Sequence, residues 1–358
     1  MIEKIYDKLL EEARISPMLL SDLAGLETYI SESYSNRSFI ELLQNADDAG
    51  AQLFAIKQSG QYLLVANDGR PFDSNDVESL CRSAASTKVR GSSIGYRGIG
   101  FKSVVSIAEE VHLFSGEYEI TFSKTLTKQL IPQAAKVPLI RIPHPVKSDV
   151  KQYLLADIKS LKDSGCTTVF VFSGVVIEQI FEEYSSFSQI SLLFLRHIRN
   201  INIQLIKTLI AKISSKINGD GSKDMNICTN NSESDWRIYS SGQCDIAFSI
   251  HDSNIVRLPQ NDALIHAFLP TEDNTGLGVI VNGDFSTDPS RRHLINDETT
   301  SRIIQSIASL YLSLIETNIQ NGSKASAHLV EALIPYFDVR LINLSKHESA
   351  WKSGILIQ

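Results

Sequence analysis

The chain has 358 residues, of which 43% are hydrophobic and 21% are charged, and its formal net charge is -7. This length is typical of about two domains, and the composition favours a packed globular core over disorder. The net negative charge argues against a protein whose main role is to coat nucleic acid.

Four cysteines are spread along the chain without a CxxC pair: Cys81, Cys166, Cys228 and Cys244. Such spacing is typical of isolated thiols in a reducing compartment, not of a disulfide framework or a zinc site. The amphipathic N-terminal segment lacks the apolar region of a signal peptide, and no stretch reaches the roughly 18 apolar residues of a membrane span. We therefore expect a cytoplasmic protein that does not bind membranes.

Hydrophobic periodicity predicts helices first, over residues 2–14, 18–32 and 36–49. The stretches QLFAIKQ and QYLLVAN then form a hairpin with a turn at Ser59 and Gly60. The next elements are a turn, NDGRPF, a helix that Ser74 caps, the strands EEVHLFS, YEITFS and VPLIRIP, a helix, KQYLLADIKSLKD, and the strand TTVFVF. This order predicts an α+β sandwich with an antiparallel-rich sheet.

The pattern changes after residue 175. The segment 178–205 is predicted to be a long apolar-periodic helix that runs into a strand, and 214–234 to be an exposed polar loop between strands. Further strands and two C-terminal helices, at 298–319 and 324–337, follow. The predicted domains are residues 1–175, a second α+β domain at 176–320, and a helical extension at 321–358.

Three polar side chains share one face of the third predicted helix. Glu41 and Asn45 are spaced i,i+4, and Asp48 lies nearly two turns after Glu41. An amide oxygen at Asn45 suits Mg²⁺, which leaves most of its coordination sites to water and phosphate oxygens. A carboxylate one turn earlier suits the activation of a water molecule. Taken alone, the pattern is more typical of a solvated acidic helix face.

A glycine-rich segment ends at another predicted helix, FKSVVSI. Glycines let backbone N–H groups approach an anion, and a helix N-terminus favours phosphate. The segment is neither a Walker A loop nor a Rossmann turn, and a flexible loop is the alternative. Its glycines and nearby basic residues are Gly91, Gly95, Gly98, Gly100, Arg90, Arg97 and Lys102.

Two further segments flank this region. In NDGRPF, Asn67 or Asp68 is placed to accept a hydrogen bond from an adenine amino group, although a plain turn explains the composition equally well. In CTTVFVF, Thr167 begins a strand, with Thr168 as the alternative functional residue and simple β propensity as the other explanation.

The order of these four segments resembles the GHKL superfamily of ATPases, which includes heat-shock chaperones, MutL, type II topoisomerases and histidine kinases. ELLQNADDA resembles the N-box, NDGRPF the DxGxG adenine motif, IGYRGIGFKS the GxxGxGF phosphate motif, and CTTVFVF the terminal GT strand. The resemblance implies the Bergerat fold, a two-layer sandwich with helices on one face of a mixed, largely antiparallel sheet. It also implies that ATP and Mg²⁺ are the cofactors.

By this resemblance Glu41 is the general base, Asn45 holds Mg²⁺, and Asp48 shapes the adenine end of the pocket. Residues 73–99 form a lid over the nucleotide. The other residues implied to bind ATP are Asn67, Asp68, Phe72, Lys88, Gly95, Tyr96, Arg97, Gly98, Ile99, Gly100, Phe101, Lys102 and Thr167.

Three positions depart from the family pattern. Asn67 stands where DxGxG has its aspartate, and Pro71 replaces the second glycine. Cys166 replaces the glycine of the GT strand. These departures leave open whether Asn67 or Asp68 reads the base, and whether Thr167 or Thr168 takes part.

NDGRPF, DVESLCRSAASTK and FLPTEDNTGLGVIVNGDFSTDPSRRHL are similar to sacsin-type and NO VEIN-type ATP-binding domains. In heat-shock chaperones a Ser-Arg motif delivers an arginine to the γ-phosphate. Arg291, which follows Ser290, is the corresponding catalytic candidate, with Arg292 beside it. A guanidinium stabilises charge on a transferring phosphoryl group. A surface basic pair beside an acidic loop is the alternative.

The resemblance implies a slow ATPase that acts as a lid and domain-closure switch. Its expected partners are a protein partner or client and a second copy of the chain when ATP is bound, with nucleic acid reached only through a partner. Sacsin-like ATPases of this compact form also imply a role in defence against phage or foreign DNA. The alternatives are an ATP-gated scaffold that does not hydrolyse ATP and a MutL-like DNA-processing ATPase. A histidine kinase is excluded because no histidine precedes His112.

Overall fold

The structure is a computed structural model that describes residues 2–33, 38–82, 101, 108–175, 180, 182–184, 188–242, 244–288 and 290–336. The chain divides into two compact units, the first formed by residues 1–187 with 196–211 and the second by residues 188–195 with 212–358. Both units combine helices with a β-sheet, so the predicted α+β class is confirmed. The predicted domain boundaries at 175 and 320 stay predictions.

The first unit has a mixed sheet and six helices with described bounds, and residues 180 and 182–184 are also helical. The helices are α1 (Ile2–Ile15), α2 (Pro17–Ser33), α3 (Ser38–Asp48), α4 (Ser74–Cys81), α5 (Lys124–Leu130) and α6 (Ser148–Asp163). The strands are β1 (Leu53–Ser59), β2 (Tyr62–Asn67), β3 (Glu110–Ser115), β4 (Tyr118–Ser123), β5 (His144–Pro145), β6 (Thr168–Ser173) and β7 (Asn200–Gln204). Their order is β7-β1-β2-β6-β3-β4-β5, and every neighbouring pair is antiparallel except β1 with β7.

Helices pack on both faces of this sheet. Leu154 of α6 belongs to a core with Leu64 and Ala66 of β2. On the other face the ring of Phe39 in α3 meets the ring of Phe54 in β1 at 6.2 Å. Neighbouring residues of a strand point to opposite faces, so α6 and α3 lie on opposite sides. The sequence predicted helices on one face of the sheet, whereas α6 packs on the face opposite to α3.

Two local predictions in this unit are wrong. Asp73, not Ser74, caps α4, because its side chain accepts the N–H groups of Asn75 and Asp76. The stretch VPLIRIP is not a strand, and its N–H groups at Leu139 and Ile140 are donated to the carboxylate of Glu27 at 2.6 and 3.0 Å. A buried backbone donor needs a partner, and here a side chain replaces a neighbouring strand.

The second unit is built on a sheet with the order β14-β13-β15-β11-β10-β9-β8, with β12 paired to β11. The unit boundary at residue 211 falls within β8. The elements are β8 (Thr208–Ile217), β9 (Lys223–Thr229), β10 (Glu233–Ser241), β11 (Cys244–His251), β12 (Asn254–Val256), β13 (Leu264–Ala267), β14 (Leu269–Asn274), β15 (Ile280–Gly283), α7 (Glu298–Asn321) and α8 (Lys324–Leu333). Helix α7 contributes Ile303 and Ile307 to a core shared with Phe248 of β11 and Val281 of β15.

Two predictions fail near the start of this unit. The polar stretch 214–234 is mostly strand, since it contains the end of β8, all of β9 and the start of β10. A short turn joins β8 to β9, and in it the N–H of Asn218 donates to the carbonyl oxygen of Ser222 at 2.8 Å. Of the segment predicted as a helix that runs into a strand, 178–205, the described residues 180 and 182–184 are helical and residues 200–204 form β7. Its described part at 188–199 is not a long helix and forms only a short 3-10 turn, Gln189–Leu192. No described helix combines the length and apolar character that a membrane crossing requires.

Candidate functional site

Helix α3 carries three of the predicted site residues. Glu41 is 2% exposed, whereas Asn45 and Asp48 are half-buried. The helix is continuous over these positions, so all three side chains project from one face, with Asp48 only about 20° around the axis from Glu41. A deep carboxylate is thus followed along the helix by an amide and a second carboxylate that reach the surface of the fold.

The turn after β2 packs directly on the end of α3. A Cβ added to Gly69 would lie 2.8 Å from the carbonyl oxygen of Ala49 and 2.9 Å from its Cβ. The N–H of Arg70 donates to the same Ala49 oxygen at 2.9 Å. Only glycine permits this approach. Gly69 therefore fixes NDGRPF against the residue that follows Asp48.

Asn67 is the last residue of β2 and is 8% exposed. Because Ala66 faces the α6 core, Asn67 lies on the opposite face of the sheet, the face that α3 covers. Its Oδ1 accepts the N–H of Gly69 at 3.1 Å. Within the described residues this is the hydrogen bond that the Asn67 side chain makes.

Asp68 has a different role. Its Oδ1 accepts the N–H groups of Gln52 and Leu53, both at 2.7 Å. These two residues lead into β1, so the Asp68 carboxylate fixes the start of that strand. Asn67 and Asp68, which the sequence left as alternatives, thus lie in distinct surroundings.

Thr167, which directly precedes the neighbouring strand β6, closes the turn. Its N–H donates to the carbonyl oxygen of Asn67 at 2.9 Å, and its hydroxyl donates to the carbonyl oxygen of Gly69. Burial raises the pKa of the preceding thiol, Cys166, which packs in the α6 core. The side chain that replaces the expected glycine therefore stays neutral and points away from the turn.

Thr168 takes part in a buried chain of hydroxyl groups that sequence reasoning did not identify. Its Oγ1 lies 2.6 Å from Oγ of Ser115, which also accepts the N–H of Phe72 at 3.0 Å. The sequence feature that could have indicated this chain is the serine at the end of the apolar strand EVHLFS. These hydroxyls fix where Phe72 leaves the turn.

Aromatic rings line the sheet beside Asn67. Phe170 shares its face, because it pairs with Val65, two residues before Asn67. The rings of Phe101 and Phe72 lie 4.7 and 5.8 Å from that of Phe170. The predicted phosphate residues Lys88, Gly95, Tyr96, Arg97, Gly98, Ile99, Gly100 and Lys102 lie outside the described residues.

Asp47 is a second residue that sequence reasoning missed. It is fully buried, and its carboxylate accepts the N–H groups of Arg196, His197 and Ile198 at 3.0, 2.8 and 2.9 Å. It lies about 200° around α3 from Asn45, on the side opposite the polar face. The sequence feature that could have identified it is its position four residues after Leu43, on the side of the helix where an apolar side chain is expected.

The donor set on α3 fits a magnesium ion that is bound together with phosphate. Among the described residues no group of three or more His, Cys, Asp or Glu side chains is arranged to hold a metal ion alone. Mg²⁺ typically takes one or two protein oxygens and completes its octahedron with water and phosphate oxygens. The amide oxygen of the half-buried Asn45 suits such a single protein ligand.

Arg291 belongs to the second unit and has an unusual backbone. Its φ is 55°, in the left-handed region that costs a non-glycine residue about 1–2 kcal/mol. Asp288 closes the surrounding loop, since its Oδ1 accepts the N–H of Arg292 at 2.9 Å and its Oδ2 accepts the Ser290 hydroxyl at 2.6 Å. Burial opposes ionisation of Asp288, but the Ser290 hydroxyl and backbone N–H groups outweigh it and lower the pKa. The loop is thus held by an ionised carboxylate.

Comparisons with known proteins give partial likenesses. No protein-family profile matches the chain. The chain is similar to Protein NO VEIN of Arabidopsis thaliana, with 32% identity over 156 residues, which cover 40% of this chain and 5% of that protein. This chain therefore spans a small part of that relative's length. The crystal structure of the N-terminal domain of a DNA repair protein overlaps 83% of this chain and 99% of its own, with 12% identity and a TM-score of 0.40.

Proposed function

We propose that this chain binds ATP with Mg²⁺ and hydrolyses it slowly, as a GHKL-type ATPase with a Bergerat fold in its first unit. The observation that carries the proposal is the contact of three separate segments at one place. Gly69 of the turn contacts both Ala49, which directly follows α3, and Thr167, which directly precedes β6. These segments belong to three of the four motifs that resemble the superfamily.

Asn45 is the proposed magnesium ligand, and Asp48 borders the base end of the pocket. When bound, Mg²⁺ would neutralise charge on the phosphate oxygens. The wall of Phe72, Phe101 and Phe170 beside Asn67 supplies an apolar surface of the kind that nucleotide pockets use.

Glu41 is the proposed general base. Its carboxylate lies deeper in the fold than Asn45, one helical turn away, and this position supports a role in orienting and deprotonating a water molecule. The 2% exposure limits exchange with bulk solvent and favours a defined orientation of that water.

Arg291 is the proposed partner of the γ-phosphate. The strained backbone supports this role, because strain that the surrounding loop maintains is common at functional sites. In this proposal, ATP binding and hydrolysis switch the chain between two conformations. Residues 83–99 of the lid predicted at 73–99 lie outside the described residues. The switch acts on a protein partner or on a second copy of the chain.

The test is ATP turnover with Mg²⁺ by wild type, Glu41→Gln and Asn45→Ala. Glu41→Gln should lower the rate at least about hundredfold while ATP still binds, because only proton transfer is removed. Asn45→Ala should weaken Mg²⁺-dependent ATP binding itself. Glu11→Ala, at an exposed position of α1, is the matched control.

Two outcomes contradict the proposal in different ways. If wild type binds ATP but never turns it over, the chain is an ATP-gated scaffold. If Glu41→Gln is as active as wild type, Glu41 is not the base.

A further inference from the structure

The amide of Asn67 is held in one orientation. Its Oδ1 accepts the backbone N–H of Gly69 at 3.1 Å, so its Nδ2 points away from the turn. A flipped amide would place two N–H donors against each other. It would also leave the backbone donor of the buried Gly69 without a partner, which is costly.

Gly69 cannot move to accommodate a flip. Its Cα side is already in contact with the Ala49 backbone, as a Cβ there would lie 2.8 Å from the Ala49 oxygen. Its carbonyl oxygen accepts the Thr167 hydroxyl, and the next residue donates to Ala49. The turn is therefore fixed from both sides, and the N–H that orients Asn67 is fixed with it.

The consequence is that Asn67 presents a donor, not an acceptor, to the space over its sheet face. No acceptor among the described residues bonds its Nδ2, and the side chain is 8% exposed. Asp68 is not a ready substitute as the acceptor, because its Oδ1 takes two N–H groups at the start of β1.

Purine bases differ in what they offer such a donor. The C6 substituent of adenine is an amino group, which donates, whereas hypoxanthine and guanine carry an oxygen there, which accepts. An aspartate at position 67 would match adenine. The asparagine in its observed orientation matches a 6-oxopurine.

We infer that the site does not select adenine through its 6-amino group, and that its substrates include purine nucleoside triphosphates with an oxygen at C6. This inference rests on the proposed function of the same pocket. Asn67 is its specificity-determining residue, and Gly69 and Thr167 are the positioning residues that hold the amide.

The test compares the affinities of ATP and ITP, with Mg²⁺, by titration calorimetry on wild type. Wild type should bind ITP at least as tightly as ATP, and GTP should behave as ITP. Tighter binding of ATP than of ITP by wild type overturns the inference and leaves the proposed ATPase standing. Binding of no triphosphate at all overturns the proposed function itself.

The matched variant is Asn67→Asp. It retains the oxygen that accepts from Gly69 and replaces Nδ2 by a second acceptor, so it should raise the preference for ATP over ITP about tenfold. Asn67→Ala, which has neither group, should abolish the difference between the two nucleotides. An unchanged ratio in a folded Asn67→Asp protein, checked by its thermal unfolding curve, would remove Asn67 from base recognition.

Discussion

The carboxylate of Asp47 accepts the backbone N–H of His197 at 2.8 Å, across 150 positions of the chain. The neighbouring N–H groups of Arg196 and Ile198 donate to the same carboxylate. Helix α3 therefore has two functional sides. One carries the polar face of the proposed pocket, and the other holds the segment that leads into β7.

Removal of this carboxylate should destabilise the fold. Asp47→Ala removes a fully buried carboxylate and leaves three backbone donors without their charged partner, and we expect a loss of about 3 kcal/mol or more in the free energy of unfolding. Urea denaturation of the two proteins measures it. Asp163→Ala, at an exposed position near the end of α6, should change stability little, and equal effects at both positions would argue against the role of Asp47.

A side chain at Gly69 should disrupt the turn. In Gly69→Ala the new methyl group would meet the Ala49 backbone at 2.8 Å, so we expect lower stability and weaker nucleotide binding together. Thermal unfolding and ATP titration measure the two effects.

Gly25→Ala in α2 is the matched control. Apart from its own helix, no described residue has an atom within 4 Å of the added Cβ, and alanine should stabilise the helix by about 0.5–1 kcal/mol. If Gly69→Ala were as stable and as competent as wild type, the turn would not be packed as described.

Buried histidines should make the protein sensitive to acid. Burial lowers the pKa of His266 to about 3 and that of His144 to about 4. Because both values lie below those of the unfolded chain, the unfolded state binds more protons. The stability contribution is complete above about pH 6.5 and is lost as the pH falls towards the folded-state values, by about 1.4 kcal/mol per pH unit for each histidine.

Urea midpoints measured from pH 7 to pH 4.5 test this expectation. His266→Leu should make the profile less steep, because an apolar residue at a fully buried position has no proton to gain, whereas His144 still contributes its part of the slope. His251→Gln, on an exposed side chain, should leave the slope as in wild type. A flat wild-type profile would contradict the prediction.

A substitution at Arg291 should distinguish the energetic cost of its strained backbone from the function of its side chain. Glycine adopts a φ of 55° without steric cost, so Arg291→Gly should stabilise the second unit by up to about 1 kcal/mol. The same change should lower ATP turnover strongly, since the guanidinium is lost. Arg292→Gly should give no such gain in stability, and unchanged turnover in Arg291→Gly would remove this arginine from the reaction.

Local patterns in the sequence predicted most elements of the first unit. The spacing of Phe39, Leu43 and Ala46 defines the apolar side of α3, and the same spacing places Glu41 and Asp48 together on the other side. The β-branched strand TTVFVF and the hairpin at Gly60 were also predictable, because strand alternation and turn chemistry depend on neighbouring residues alone. The predictions failed where a distant side chain replaced a local partner, as Glu27 does for Leu139.

The sequence by itself determined which residue types were available for the proposed site and that three of them share a helix face. Only the tertiary structure decided what Asn67, Asp68 and Asp47 each do. Their partners Gly69, Leu53 and His197 are fixed by how strands and helices meet. The residue types alone do not reveal that the Asn67 oxygen accepts from the turn, whereas the Asp68 oxygen accepts from a strand. Side-chain roles of this kind depend on contacts between separate elements, whereas periodicity reports only the face on which a residue lies.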